Sequence, residues 1–218
     1  MSKTNFSVIF ILIVFSSFQV ISQDVYEYKN GKEIHRLFVD ANYIVETVFS
    51  TTPAKFISTR GGFYTKTEKG LHVKFEFNSD FENDGLKAAD YLLDKSWEKT
   101  DSPSLELEGK WQMGGRMREE AISRRDTSNA RKTMKILFKG HFQWIAYHTE
   151  TMKFSGSGGG QYEIKDGKYT EKITYFSRDN SRAGAALTFD YKLIDNEWHH
   201  IGLSSKGDPF HEVWVRRD

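Results

Sequence analysis

The strongest constraint on this chain is an alternation of apolar and polar residues with a period of two, broken by short turn signals. It is clearest over residues 141–176. Phe142, Trp144 and Ala146 alternate with His141, Gln143, Ile145 and Tyr147, and Tyr169, Ile173 and Tyr175 oppose Thr170, Lys172 and Thr174. Further on, Leu187, Phe189, Tyr191 and Leu193 share one face. Successive side chains of a strand point to opposite sides, so this pattern describes half-buried strands and excludes an amphipathic helix. Asp166-Gly167 and Asp195-Asn196 mark tight hairpin turns between such runs. Turn signals recur throughout, as expected of an antiparallel meander that closes into a barrel or a sandwich.

The pattern occurs twice. Leu37-Phe38 matches Leu137-Phe138, Lys55-Phe56 matches Lys153-Phe154, and Gly61-Gly62 with Tyr64 match Gly159-Gly160 with Tyr162. Asp90-Tyr91 and Trp97 match Asp190-Tyr191 and Trp198. The polar stretch at 99–104, which contains Pro103, is the seam. The expected organisation is a leader at 1–22, a degenerate N-terminal barrel-like copy at 23–103 and a C-terminal barrel at 104–218. The leader has Lys3 ahead of an apolar run from Val8 to Phe15, with Ser22 at the expected cleavage point. That run is too short to span a bilayer, and nothing after it could do so, so the mature chain is expected to be exported with no transmembrane segment. The destination is a periplasm or the cell exterior. The chain has no cysteine, which excludes disulfides, thiolate metal sites and a cysteine nucleophile. Without its leader the formal charge falls from +1 to zero through the loss of Lys3, leaving no electrostatic footprint for nucleic acid.

Catalytic and cofactor signatures are missing from the sequence. The glycines at 156 and 158–160 fit no phosphate-binding pattern and recur at Gly61-Gly62, so a strand bend is the expectation. His199 and His200 are adjacent and point to opposite faces of a strand, and no spacing gathers the other histidines around a metal. No Gly-x-Ser-x-Gly elbow and no carboxylate pair stand out. An enzyme is therefore not the expectation, and neither a cofactor nor a metal is assigned. Residues 116–129 are polar and charged and read as a solvated loop or a hairpin arm; the Arg124-Arg125 pair within them could hold an anion, but the acids nearby favour the loop.

The second copy opens with Gly109-Lys110-Trp111 and closes with Val213-Trp214-Val215-Arg216. Glycine-x-tryptophan on a first strand with a basic residue on the last resembles the signature of lipocalins and the wider calycin group. The segments LEGKWQ, KTMKILFKGHFQWIAYHTET, SGSGGGQYEIKDGKYTE and HHIGLSSKGDPFHEVW also resemble an uncharacterised family of bacterial secreted lipocalin-like proteins. The resemblance implies an all-β fold of two tandem, unequal antiparallel barrel-type copies. It further implies that Trp111 plugs one end of the second barrel with the arginine across its ring, and that the protein is exported. By strand parity, Phe142, Trp144, Tyr162, Tyr175, Phe189, Tyr191, Trp198 and His200 converge on the interior, as the lining of a pocket for a small lipophilic or aromatic ligand. The competing expectation is that these side chains simply fill the barrel and that the protein serves a partner in the cell envelope.

Overall fold

The computed structural model describes residues 23–204 and 207–217; the leader expected at 1–22 lies outside them. The first half holds β1 (Asp24–Asn30), β2 (Glu33–Val39), β3 (Tyr43–Thr51), β4 (Ala54–Thr67), β5 (Gly70–Asn78), a helical turn α1 (Phe81–Asp84), β6 (Ala88–Tyr91) and the two-residue β7 (Glu98–Lys99). The second half holds β8 (Gly109–Arg118), β9 (Ala121–Arg124), β10 (Arg131–Phe138), β11 (His141–His148), β12 (Phe154–Lys165), β13 (Lys168–Phe176), a 3-10 turn at Asn180–Arg182, β14 (Ala186–Ile194), β15 (Glu197–Leu203) and β16 (Pro209–Arg216). Every strand pairing is antiparallel. Asp166-Gly167 and Asp195-Asn196 have positive φ at both residues, which is the geometry of the tightest hairpin turns.

Only the second half closes. Strands β8 and β10 to β16 form an eight-stranded barrel, because β8 pairs with both β16 and β10. The first half is an open sheet in the order β6-β5-β4-β3-β2-β1-β7, so the expectation of two barrels is corrected to one barrel and one open sheet. The reason is a shortage of strands. β1 to β6 follow the pairing order of β8 and β10 to β14, but β15 has no counterpart and the place of β16 is held by two residues alone. After β6 the chain leaves the sheet, and only Glu98–Lys99 returns to the free edge of β1, against Glu27 and Tyr26. Residues 116–129 are likewise corrected from loop to hairpin: β8 runs on to Arg118 and turns into β9.

The two sheets share their hydrogen bonding at a spacing of 98 residues. Ser79 N donates to Thr59 O and Ser177 N to Ser157 O (79 to 177, 59 to 157). Tyr64 N donates to Asn42 O and Tyr162 N to Gly140 O. Both sheets break register at the paired glycines, Gly61/Gly62 and Gly159/Gly160. These glycines are required by crowding. A Cβ on Gly160 would run into the Lys172 carbonyl oxygen, and one on Gly62 into that of Lys74, so the facing strand passes too close for any side chain. Gly160→Ala should cost at least about 1–3 kcal/mol, as overpacking does, measured by urea denaturation. Gly167→Ala, which meets no atoms, isolates the separate cost of a turn residue with positive φ.

The open sheet packs on the barrel wall rather than standing alone. Val25, Phe38, Tyr43, Val45 and Phe77 interleave with Met134, Ile136, Phe138, Ile145 and Tyr147, all fully buried. A polar network crosses the same interface. Thr47 donates to Gln143 Oε1 at 2.7 Å, and Gln143 Nε2 donates to Thr59 and Ser157, both at 3.0 Å. At the edge of this interface Lys110 pairs with Asp40 at 2.7 Å, and Arg217 bridges Glu76 and the Tyr147 hydroxyl. β10 and β11 are thus buried on both faces.

Candidate functional site: the mouth of the barrel

The barrel interior is built in layers from a closed end to an open one. At the closed end Trp111 is fully buried, and its indole N–H donates to Leu107 O at 2.8 Å. The Arg216 guanidinium stacks on the ring at 3.9 Å from its centroid and donates to the Glu108 carbonyl. This is the arrangement that the Gly109-x-Trp111 and Arg216 positions imply. The next layer is aromatic and self-filling: Trp198 meets Trp111 edge-on, Tyr169 meets Trp198, and Phe189 packs on Tyr169. Within this layer Lys135 pairs with Glu171 at 2.8 Å, both side chains being 6% exposed. The Lys135 ammonium lies 4.9 to 5.4 Å from the rings of Trp198, Trp214 and Tyr169.

Above this layer the barrel opens into a cavity of about 560 Å³. Its apolar lining is Met113, Trp144, Phe210 and Trp214, and its rim carries Arg116, Arg125, Arg131 and Arg178. Four strands supply this lining: Met113 and Arg116 on β8, and alternate residues on the others, Arg131, Thr133 and Lys135 on β10, Trp144 and Ala146 on β11, and Phe210, Glu212 and Trp214 on β16. Cavities of this size are in the range that holds a small organic molecule.

The residues singled out by parity fall in three places. Phe142, Tyr162, Phe189 and Trp198 are buried in the packed layers, and Tyr191 packs at their margin with its hydroxyl donating to Glu106 at 2.8 Å. Trp144 alone of the eight lines the mouth cavity. Tyr175 is on the other face, packed on Phe49 and Phe56 of the open sheet at centroid distances of 4.7 and 6.1 Å. The parity argument missed the rim arginines, Lys135, Phe210 and Trp214. Arg131, Thr133 and Lys135 do alternate inward along β10, which is the signal that could have found them.

His200 is buried, packed among Tyr169, Phe189, Trp198 and Phe210, and among the described residues neither ring nitrogen has a hydrogen-bond partner. Glu212 stands 3.8 Å away, beyond hydrogen-bond reach. Burial, reinforced by the Lys135 charge, pushes the imidazole down from 6.5 to about 4. The unfolded imidazole takes its proton near 6.5, so between that pH and about 4 the unfolded chain binds the extra proton. Stability is therefore full above about pH 6.5 and falls as the pH drops toward 4, by up to about 1.4 kcal/mol per unit for this residue. His200→Leu should flatten that slope in urea denaturation series between pH 7 and 4.5. A slope unchanged by the substitution would mean that His200 is already charged in the fold.

Residues 106–218 match the family described as "Domain of unknown function (DUF4488)", which is 113 of the chain's 218 residues. The chain belongs to the DUF4488 family. The family match takes in every strand of the barrel together with the mouth, and leaves the open sheet outside it. Among solved structures, the DUF4488 chain has a distant, partial similarity to a lipocalin-like protein from Bacteroides uniformis ATCC 8492. The two are 15% identical with a TM-score of 0.36, over 51% of this chain and 98% of that one. No curated relative matches. Among the described residues no helix is long and apolar enough to cross a membrane, and no three histidine or acidic side chains cluster as metal ligands do.

Proposed function

We propose that this DUF4488 chain is an exported protein that binds a small molecule in the mouth of its barrel. The observation that carries the reading is the cavity itself, open at one end and floored by Trp214 and Phe210 above a layer that its own aromatics fill. A barrel filled from end to end would have no such space. The role is binding, with no catalytic residue assigned. The apolar run from Val8 to Phe15 behind Lys3 supports export. The shared hydrogen bonding at a spacing of 98 residues supports an origin by duplication, in which one copy kept the barrel and the other became a wall packed on its side.

Native mass spectrometry of the mature chain, purified gently from its own host, tests the proposal. A bound small molecule that is lost when Ala146, at the mouth, is replaced by tryptophan is the expected result. A clean unliganded mass in repeated preparations would favour the envelope-partner reading. That reading draws on the exposed Ile57, Phe63, Leu86 and Leu92 of the first half, Leu92 being 66% exposed.

A further inference from the structure

We infer that the molecule held in the mouth is an amphipathic anion, with an acidic head at Arg116, Arg125 and Arg131 and an apolar body over Trp144, Phe210 and Trp214. This rests on the binding reading above and adds the chemistry of the ligand.

Charge supplies the first argument. Among the described residues five cations line the cavity, Arg116, Arg125, Arg131, Arg178 and Lys135, against two carboxylates, Asp208 and Glu212. Lys135 is neutralised from inside the barrel by Glu171, and Arg116 shares a 2.8 Å ion pair with Glu212. Arg178 spends two of its donors on the Ser155 carbonyl, at 2.7 and 3.0 Å. Among the described residues Arg125 and Arg131 have no carboxylate partner. A concave site with low-dielectric walls and excess charge of one sign concentrates ions of the other sign. Burial lowers the Arg125 pKa from its ordinary value, the Arg116 and Arg131 charges lower it further, and the Glu212 carboxylate opposes them only in part. These like charges are held together at a cost that an anion between them would relieve. The guanidinium fork binds the paired oxygens of a carboxylate, sulfonate or phosphate.

The cavity floor supplies the second argument. Trp144, Ala146 and Phe210 are part-exposed apolar surface that a compact inorganic anion would leave in contact with water, backed by the buried Met113 and Trp214. Among the described residues the buried Trp214 indole N–H has no acceptor. A neutral apolar molecule covers the floor but leaves the guanidinium charges uncompensated. An anion with an apolar body satisfies both.

The test compares two fluorescent probes with one aromatic skeleton, anilinonaphthalene sulfonate and the neutral N-phenyl naphthylamine, on the full chain. The sulfonate should bind one per chain, at least tenfold more tightly than the neutral amine. Arg125→Gln with Arg131→Gln should weaken the sulfonate at least tenfold and leave the amine within twofold. Neither arginine has an ion pair to lose, so the double variant should melt no lower than wild type, which keeps the comparison valid. Equal binding of the two probes, or sulfonate binding that survives the double variant, would overturn the anionic head and leave the cavity reading standing. Binding of neither probe, or binding unaffected by Ala146→Trp, would overturn both.

Discussion

Replacing Trp111 by alanine should destabilise the barrel by about 3–5 kcal/mol, the range for removing a large aromatic from a packed core. Trp111 has no exposed surface, touches Trp198 edge-on, carries Arg216 on its face and satisfies its own N–H at Leu107. The substitution opens a void at the closed end and leaves the Arg216 guanidinium without its ring. Phenylalanine should recover part of the loss, since it refills volume without restoring the hydrogen bond. Urea denaturation followed by circular dichroism measures both variants. A loss below about 1 kcal/mol for the alanine variant would mean that the barrel end does not depend on this plug.

Lys135→Met should be of similar size, about 3–5 kcal/mol, for a different reason. It leaves the Glu171 carboxylate inside the barrel with the Tyr169 hydroxyl, 3.0 Å away, as its remaining hydrogen-bond donor. Breaking a buried pair costs more than the pair is worth, because the stranded charge cannot reach water. Removing both charges, as Lys135→Met with Glu171→Leu, should therefore recover most of the loss. If the double variant were no better than the single one, the packing of the lysine stem among Tyr169, Trp198 and Trp214 would be the larger contribution. The same pair bears on the mouth. In the single variant Glu171 adds an uncompensated negative charge beneath the arginines, so an anionic probe should bind more weakly.

Much of the barrel is legible residue by residue, and the failures have identifiable causes. Alternation places Phe142, Phe189 and Trp198 inside because their strands are regular over those stretches. It misplaces Tyr175 because the register slips at Gly159/Gly160: Gly160 faces Ile173 while Gly159 faces Tyr175, so Thr174 is an extra residue and parity reverses. The glycine cluster announces a bend, yet the number of residues absorbed by a bulge is set by the facing strand, which no local pattern contains. Closure was not legible either. The first half has the strand sequence of a barrel up to β6, and the lack of a β15 counterpart and of a full-length last strand separates an open sheet from a closed one. The mouth escaped for a third reason. Arg116 and Arg125 come from a stretch whose charge reads as solvent-facing, and only the pairing of β8 with both β9 and β16 turns it over the cavity. Ile145 and Tyr147, on the side of β11 opposite Phe142 and Trp144, did carry a clue, since a strand apolar on both faces requires a second layer.

The seam between β8 and β16 has a kinetic consequence. Arg116 and Glu212 meet across 96 residues of chain, so the barrel is completed by a contact of high sequence separation, the kind that forms slowly. The mouth draws Arg116 and Arg131 from early strands, Arg125 from just beyond the end of β9, and Phe210, Glu212 and Trp214 from the last strand. A chain whose final strand has not yet docked therefore has the arginines but not the floor. Occupancy of the site would then report completed folding, and a ligand at about a hundred times its Kd would add about 2.7 kcal/mol to the native state alone.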